Sequence, residues 1–170
     1  APVNFGQTLS GPIITAGNVT TSGGAVRFYR AVTLTGNITI STGAGAGDIT
    51  LTSTVNPQAA STQGLTLVAG TGNINVTGPV GNLLRLGALS ISSAANATIT
   101  NNVTGSSFTQ GSGSGTTTFN GNQDYTGSFS FTGTDLVQNG TLNVGTTYTF
   151  SGTNSTQNGV VTTGGNYQFT

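Results

Sequence analysis

The sequence predicts an all-β chain folded as a parallel β-helix, or β-solenoid, of about eight coils. Three observations lead there: short runs that alternate apolar and hydroxyl residues, the recurrence of these runs at a near-constant step, and Gly or Asn between them. Helix is not expected, because Gly interrupts almost every window and β-branched residues dominate.

The alternating runs share one pattern, in which two apolar side chains point to one face of a strand and small hydroxyls to the other. These runs are Val32–Thr35, Ile49–Thr52, Leu65–Leu67, Leu89–Ser92, Phe129–Thr132, Tyr148–Ser151 and Tyr167–Thr170. Second strands are expected between them, for example Ile74–Val76 and Leu142–Val144, each after Gly or Asn residues that suit a corner.

The first apolar residues of these runs, together with Phe108, recur at an average step of about 19 residues, the scale of one solenoid coil. They are Val32, Ile49, Leu65, Leu89, Phe108, Phe129, Tyr148 and Tyr167. We expect them to form a single inward ladder within solenoid repeats over residues 25–170. Residues 1–24 are expected to form an N-terminal segment that acts as an edge strand or a donated strand.

An antiparallel β-sandwich is the alternative fold, because strands at intervals of about 8–12 residues with turn signals also suit that architecture. The recurrence of one strand motif in the same phase favours the solenoid. The uneven steps count against it, since the short step from Ile49 to Leu65 and the long one from Leu65 to Leu89 require bulges or inserted loops.

Composition excludes several classes of function. Charged residues make up 4% of the chain and the net charge is zero, so neither nucleic acid nor membrane insertion is expected. Catalysis is not expected either, because the chain contains no His, Lys or Cys to serve as nucleophile or base. The three carboxylates, Asp48, Asp124 and Asp135, are expected to be solvated turn residues rather than a catalytic pair. No cofactor and no metal are expected.

The segment Gly43–Asp48 alternates glycine with small residues before an aspartate, which is faintly similar to calcium-binding repeats. Calcium requires about six to eight oxygen ligands, and a single degenerate copy does not supply them. We therefore predict a tight turn between two coils here. Asn-x-Ser/Thr sequons, among them those at Asn18, Asn37, Asn96, Asn102, Asn139 and Asn154, are expected by chance in a chain of this composition.

The middle of the chain resembles the Gly- and Thr-rich repeats of filamentous-haemagglutinin-like bacterial surface adhesins. The resemblance lies in Ala31–Thr39, Ser41–Leu51, Leu65–Ile74 and Leu86–Ser92, which fall within the middle part of the chain. It implies a right-handed parallel β-helix that is secreted to the bacterial outer surface and acts in adhesion or as an extracellular fibre. Members of that family are usually much longer and carry an N-terminal secretion domain, which is not recognisable in this sequence.

The two ends of the predicted rod carry apolar strand signals without a recognisable polar cap. The sequence therefore predicts a self-assembling structural subunit of an extracellular fibre or rod. The candidate assembly interface consists of Val3, Phe5, Leu9, Ile13, Ile14 and Val19 at one end and Tyr167 and Phe169 at the other. Whether the chain is a whole protein or a segment stays open at this stage.

Two further functions stay open. An adhesin module would bind a host surface or a glycan, and Tyr29 and Tyr125 are the expected exposed aromatic contacts. An ice-binding protein would use outward hydroxyl pairs such as Thr33/Thr35, Thr50/Thr52, Ser90/Ser92, Ser130/Thr132 and Thr149/Ser151.

Overall fold

The computed structural model describes residues 1–8 and 10–170. Within these residues the chain forms short β-strands and no helix. The strands in chain order are β1 (Val3–Phe5), β2 (Ile13–Thr15), β3 (Val19–Thr20), β4 (Val26–Phe28), β5 (Val32–Leu34), β6 (Ile38–Ser41), β7 (Ile49–Leu51), β8 (Val55–Pro57), β9 (Leu65–Val68), β10 (Ile74–Val76), β11 (Leu86–Ser93), β12 (Ala97–Ile99), β13 (Val103–Gln110), β14 (Thr116–Phe119), β15 (Gln123–Tyr125), β16 (Phe129–Phe131), β17 (Asp135–Gln138), β18 (Leu142–Val144), β19 (Tyr148–Phe150), β20 (Asn154–Gln157), β21 (Val161–Thr163) and β22 (Tyr167–Phe169).

The strands stack into three parallel faces, and each coil visits the faces in the same order. The first face is an eight-stranded sheet of β1, β4, β7, β10, β12, β14, β17 and β20, one strand from each coil. The second face runs from β2 through β5 and β8, continues by single bridges at Val80, and resumes in β13, β15, β18 and β21. The third face contains β3, β6, β9, β11, β13, β16, β19 and β22. Strand β13 turns the corner between the second and third faces.

The predicted fold is confirmed as an all-β parallel solenoid of about eight coils. Every strand pair between described residues is parallel, from β1 with β4 to β19 with β22. The alternative of an antiparallel sandwich is therefore wrong, because a sandwich is built from antiparallel pairs.

Coil length changes along the rod. The N-terminal coils are long, as the pairing of Val3 with Val26 and of Ile38 with Leu65 shows. The C-terminal coils are shorter, since Phe129 already pairs with Tyr148. The predicted step therefore describes only the second half of the chain.

This difference corrects the predicted single ladder. Leu65, Leu89, Phe108, Phe129, Tyr148 and Tyr167 do form one inward column on the third face, which starts at Ile38. Val32 instead pairs with Val55 on the second face, and Ile49 pairs with Val26 on the first. In the long N-terminal coils, two motifs separated by less than one coil length fall on different faces rather than above one another.

The predicted N-terminal segment 1–24 forms the first coil of the same solenoid. Its strands β1, β2 and β3 pair with β4, β5 and β6 of the second coil. Each lies at the edge of its sheet, and all three pair within their own chain.

The interior is a continuous column of buried side chains. Val26, Ile49 and Ile74 are fully buried on the first face. On the third face, Phe108 and Phe129 are fully buried in the C-terminal coils. Short strands suffice because each coil shares its inward residues with the coils on either side. Among the residues that the structure describes, no helix is long and apolar enough to cross a membrane.

Candidate assembly ends and surfaces of the solenoid

The N-terminal end presents three edge strands whose inward side chains are only half-buried. Val3 and Phe5 on β1, Ile13 on β2 and Val19 on β3 face the interior, and the ring of Phe5 stacks on Phe28 with centroids 4.6 Å apart. Their outer sides have no coil above them. This end therefore offers apolar side chains and unpaired strand edges together.

One residue of the predicted N-terminal interface, Ile14, does not belong to this surface. Ile14 points away from the interior and is 68% exposed on the lateral surface of the rod. The alternation of β2 requires this, because its neighbour Ile13 takes the inward position. Leu9 lies outside the described residues.

The C-terminal end exposes two aromatic rings. Tyr167 and Phe169, both on β22, are 43% and 56% exposed although they continue inward columns. Their inner sides are covered, since Tyr167 stacks on Tyr148 at 4.4 Å and Phe169 contacts Phe150 at 5.4 Å. The exposed face of each ring therefore points along the axis of the rod, away from the preceding coil.

The column that ends in Tyr167 is a stack of aromatic rings through four coils. Phe108 and Phe129 lie 4.8 Å apart, and Phe129 and Tyr148 lie 5.3 Å apart at an interplanar angle of 3°. Parallel in-register strands place identical positions directly above one another, so flat side chains stack as the coils do.

Buried amide side chains lie beside these rings, and the sequence analysis missed them. Gln110, Gln123 and Gln138 are buried, and the Tyr125 hydroxyl donates to Gln123 Oε1 at 2.7 Å. The alternation of strand residues could have indicated their burial, since Gln138 lies two residues after the buried Leu136 and therefore on the same, inward side of β17. Tyr125 itself is buried, so the prediction that it is an exposed contact is wrong.

Two tyrosines of this interior are held in the neutral form. Burial raises the pKa of the Tyr125 phenol well above its ordinary value. Burial, and after it the electrostatic influence of Tyr167, raises the pKa of Tyr148 in the same direction. The hydroxyl of Tyr148 also accepts a hydrogen bond from Gln157 Nε2 at 3.3 Å. The aromatic columns are therefore uncharged at neutral pH.

Asparagine ladders run along the corners of the C-terminal coils. Asn139 Nδ2 donates to Asn120 Oδ1 at 2.7 Å, and Asn158 Nδ2 donates to Asn139 Oδ1 at 2.7 Å. Among the sequon asparagines, Asn96 and Asn154 similarly donate through Nδ2, to Asn73 and to Asp135. Glycosylation at Asn96, Asn139 or Asn154 would replace one of the two hydrogens on the nitrogen that donates these bonds.

The carboxylates accept hydrogen bonds between coils. Asp48 lies in a turn as predicted, whereas Asp124 and Asp135 lie on strands, which corrects the prediction for these two residues. Asp124 lies on β15 and forms an ion pair with Arg85, whose Nη1 also donates to the main-chain oxygens of Asp124 and Gly105 at 2.8 and 3.0 Å. Asp48 Oδ1 accepts the amide N–H of Asn73 at 2.7 Å. In residues 1–8 and 10–170, no cluster of three or more His, Cys, Asp or Glu could hold a metal ion.

The Gly43–Asp48 segment is the predicted tight turn, lying between β6 and β7. Gly43 has a φ of 78°, which favours glycine, and Thr42 Oγ1 donates to the carbonyl oxygen of Gly47 at 2.7 Å across the turn. This closure lets the third face of one coil pass directly into the first face of the next.

The hydroxyl rows lie differently from the prediction. Ser90, Ser130 and Thr149 share one outward column on the third face, but Thr50 lies on the first face and Thr33 on the second. The actual column is Thr39, Thr66, Ser90, Thr109, Ser130 and Thr149. Sequence analysis missed Thr39, Thr66 and Thr109 because the lengths of the coils determine which strands align.

A lateral groove of about 490 Å³ crosses the start of the third face from the first coil to the fifth. Its floor includes Thr39, Thr66 and Ser90, and its wall is the inserted loop that contains Ser61 and Thr62. None of the lining residues is ionisable or aromatic. The groove therefore offers neutral hydroxyl and main-chain groups.

Comparison of the chain with protein-family models, with curated proteins and with solved structures returned no match.

Proposed function

We propose that this chain is a non-catalytic structural subunit of an extracellular fibre or cell-surface rod that assembles end to end. The observation that carries the proposal is the pair of aromatic columns that reach the C-terminal end as Tyr167 and Phe169, 43% and 56% exposed. Covering half-exposed aromatic rings at the end of a stack with another apolar surface lowers the free energy, because apolar area is removed from water.

The two ends are different surfaces, and this determines the type of assembly. Contact between one N-terminal end and one C-terminal end is heterologous, so every added copy leaves a new free end. Such contacts produce open filaments unless the rotation closes a ring. A straight solenoid therefore favours an extended fibre, in agreement with the cell-surface setting that the adhesin resemblance implies.

Removal of the exposed rings tests the proposal. For the variant Tyr167→Ser/Phe169→Ser we expect loss of filaments in negative-stain microscopy and a single slow species in sedimentation velocity. Leu83→Ser is the matched control, because Leu83 is 78% exposed on the lateral surface and lies at neither end. Wild-type chain that stays monomeric at every concentration, or filaments that survive the double substitution, would contradict end-to-end assembly.

The lateral groove favours a second function, an adhesin module for an uncharged ligand rich in hydroxyl groups. A charged ligand would lose hydration without meeting an opposite charge, whereas a polyol exchanges water hydrogen bonds for those of Thr39, Thr66 and Ser90. Glycan-array binding that is saturable and is lost in Thr66→Val/Ser90→Val would support this function. Equal binding by wild type and variant would exclude the groove.

A further inference from the structure

We propose that Asn120 is a self-modifying site, at which the main-chain nitrogen of Gly121 attacks the side-chain amide and converts the asparagine to aspartate or isoaspartate. The site lies at the corner between β14 and β15. Water is the other reactant. This inference goes beyond the structural role proposed above and does not depend on assembly.

Three corners of the C-terminal coils carry the same dipeptide. Asn-Gly occurs at Asn120, Asn139 and Asn158, which are 19 residues apart. Each corner follows a strand of the first face, and all three asparagines are exposed. A glycine after asparagine leaves the attacking nitrogen unhindered, because glycine has no Cβ. Residue type and solvent access are therefore the same at the three corners, and hydrogen bonding distinguishes them.

The reaction is an intramolecular acyl transfer followed by hydrolysis. The nitrogen of Gly121 forms a bond to Cγ of Asn120 and loses its proton, while the Cγ–Nδ2 bond breaks and its electron pair leaves with ammonia. The product is a cyclic imide, whose closure is favoured because both groups belong to adjacent residues. Water opens the imide at Cγ to give an aspartyl side chain. Opening at the main-chain carbonyl carbon gives an isoaspartyl linkage instead.

The attacking nitrogen is free at the first of the three corners. The N–H of Asn120 donates to the carbonyl oxygen of Ile99 at 2.9 Å, but the N–H of Gly121 donates to no residue that the structure describes. At the third corner, the N–H of Gly159 donates to the carbonyl oxygen of Gln138 at 3.3 Å. Attack on Asn158 therefore requires that a hydrogen bond be broken first.

The side-chain amide of Asn120 is held in a way that favours attack. Its Oδ1 accepts a hydrogen bond from Asn139 Nδ2 at 2.7 Å. This oxygen becomes negative when the nitrogen adds to Cγ, so a donor already placed there stabilises the developing charge. The position in the preceding coil is Thr100, so the asparagine ladder starts at Asn120. Its Nδ2, the leaving nitrogen, donates to none of the described residues and is open to protonation by water.

The other two asparagines each lack part of this arrangement. Asn139 accepts a hydrogen bond from Asn158, but its own Nδ2 is held by Asn120 Oδ1. Asn158 has its Nδ2 held by Asn139, and the N–H of Gly159 is also engaged. We therefore expect the rate of modification to fall in the order Asn120, Asn139, Asn158.

Modification changes both the charge and the length of this corner. Either product adds one negative charge to a chain whose net charge is zero. The isoaspartyl product also adds one carbon to the main chain, at a corner where a Cβ on Gly121 would already clash with the main chain of Asn101. Because ammonia is lost to solvent, the change is one-way and records the age of the folded chain.

Site-resolved rates test the proposal. The full chain is incubated in neutral buffer and sampled by peptide mapping with mass spectrometry, and isoaspartate is measured with an isoaspartate-specific methyltransferase. We expect Asn120 to react faster than Asn158 by about threefold or more in the folded chain, as one or two hydrogen bonds would produce. In urea the three rates should converge, because the ladder is lost. Equal rates in the folded chain, faster reaction at Asn158, or reaction of Asn120 in urea alone would overturn the proposal.

A pair of variants tests the role of the donor. Asn139→Ala removes the hydrogen bond to Asn120 Oδ1, whereas Asn158→Ala removes the equivalent bond one coil further on and is the matched control. We expect Asn139→Ala to slow the modification of Asn120 by about two- to tenfold and Asn158→Ala to leave it unchanged. Circular dichroism establishes that both variants are folded, and Asn139→Ser replaces Asn139→Ala if that variant is not. An unchanged rate at Asn120 in the folded Asn139 variant would overturn the stabilisation of the developing charge by Asn139.

Discussion

Removing a ring from the middle of the aromatic column should unfold the C-terminal coils selectively. Phe129 is fully buried and stacks between Phe108 at 4.8 Å and Tyr148 at 5.3 Å. Phe→Ala in a core costs about 3–5 kcal/mol, and two lost ring pairs place Phe129→Ala near the upper end of that range. Because coils contact only their neighbours, the loss should be local.

The assay is native-state hydrogen exchange with urea denaturation followed by circular dichroism. In Phe129→Ala we expect amides of β13, β16 and β19 to lose protection while those of β7 and β10 keep it. Phe169→Ala is the control, with an expected cost of about 1 kcal/mol because more than half of that ring is already exposed. Equal costs for the two variants, or uniform loss of protection along the rod, would refute the stacked-column reasoning.

Three other outcomes are expected. The free energy of unfolding should be constant through neutral pH and fall above pH about 10, by about 1.4 kcal/mol per pH unit for each of Tyr125 and Tyr148. The reason is that these phenols ionise in the unfolded chain but stay neutral in the folded one. Urea midpoints measured as a function of pH test this expectation. Arg85→Ala should cost about 1–3 kcal/mol in urea denaturation, because it removes the hydrogen bonds that Arg85 donates to main-chain oxygens of two other coils. A cost near zero would show that water replaces the side chain. Gly145→Ala should lower the melting temperature, because a Cβ at this position would clash with the main chain of the preceding coil. Gly11→Ala is the control and should leave the melting temperature unchanged. Equal melting temperatures for the two variants would show that the coils can separate to make room.

Local chemistry made the fold class predictable. Runs such as Phe129–Phe131 and Tyr148–Phe150 alternate with a period of two, and this pattern depends only on the pleat of a strand. Gly and Asn residues between the strand motifs predicted the positions of the turns, as at Gly43–Asp48.

The sequence by itself therefore determined that the chain is a parallel solenoid with apolar residues inside and almost no charge outside. Only the tertiary structure decided which strands share a column. That assignment depends on the summed lengths of all preceding coils, so the loop before Leu65 moves Val32 and Ile49 off the predicted ladder. The burial of Tyr125 and the pairing of Arg85 with Asp124 likewise depend on contacts between coils, which no local pattern records.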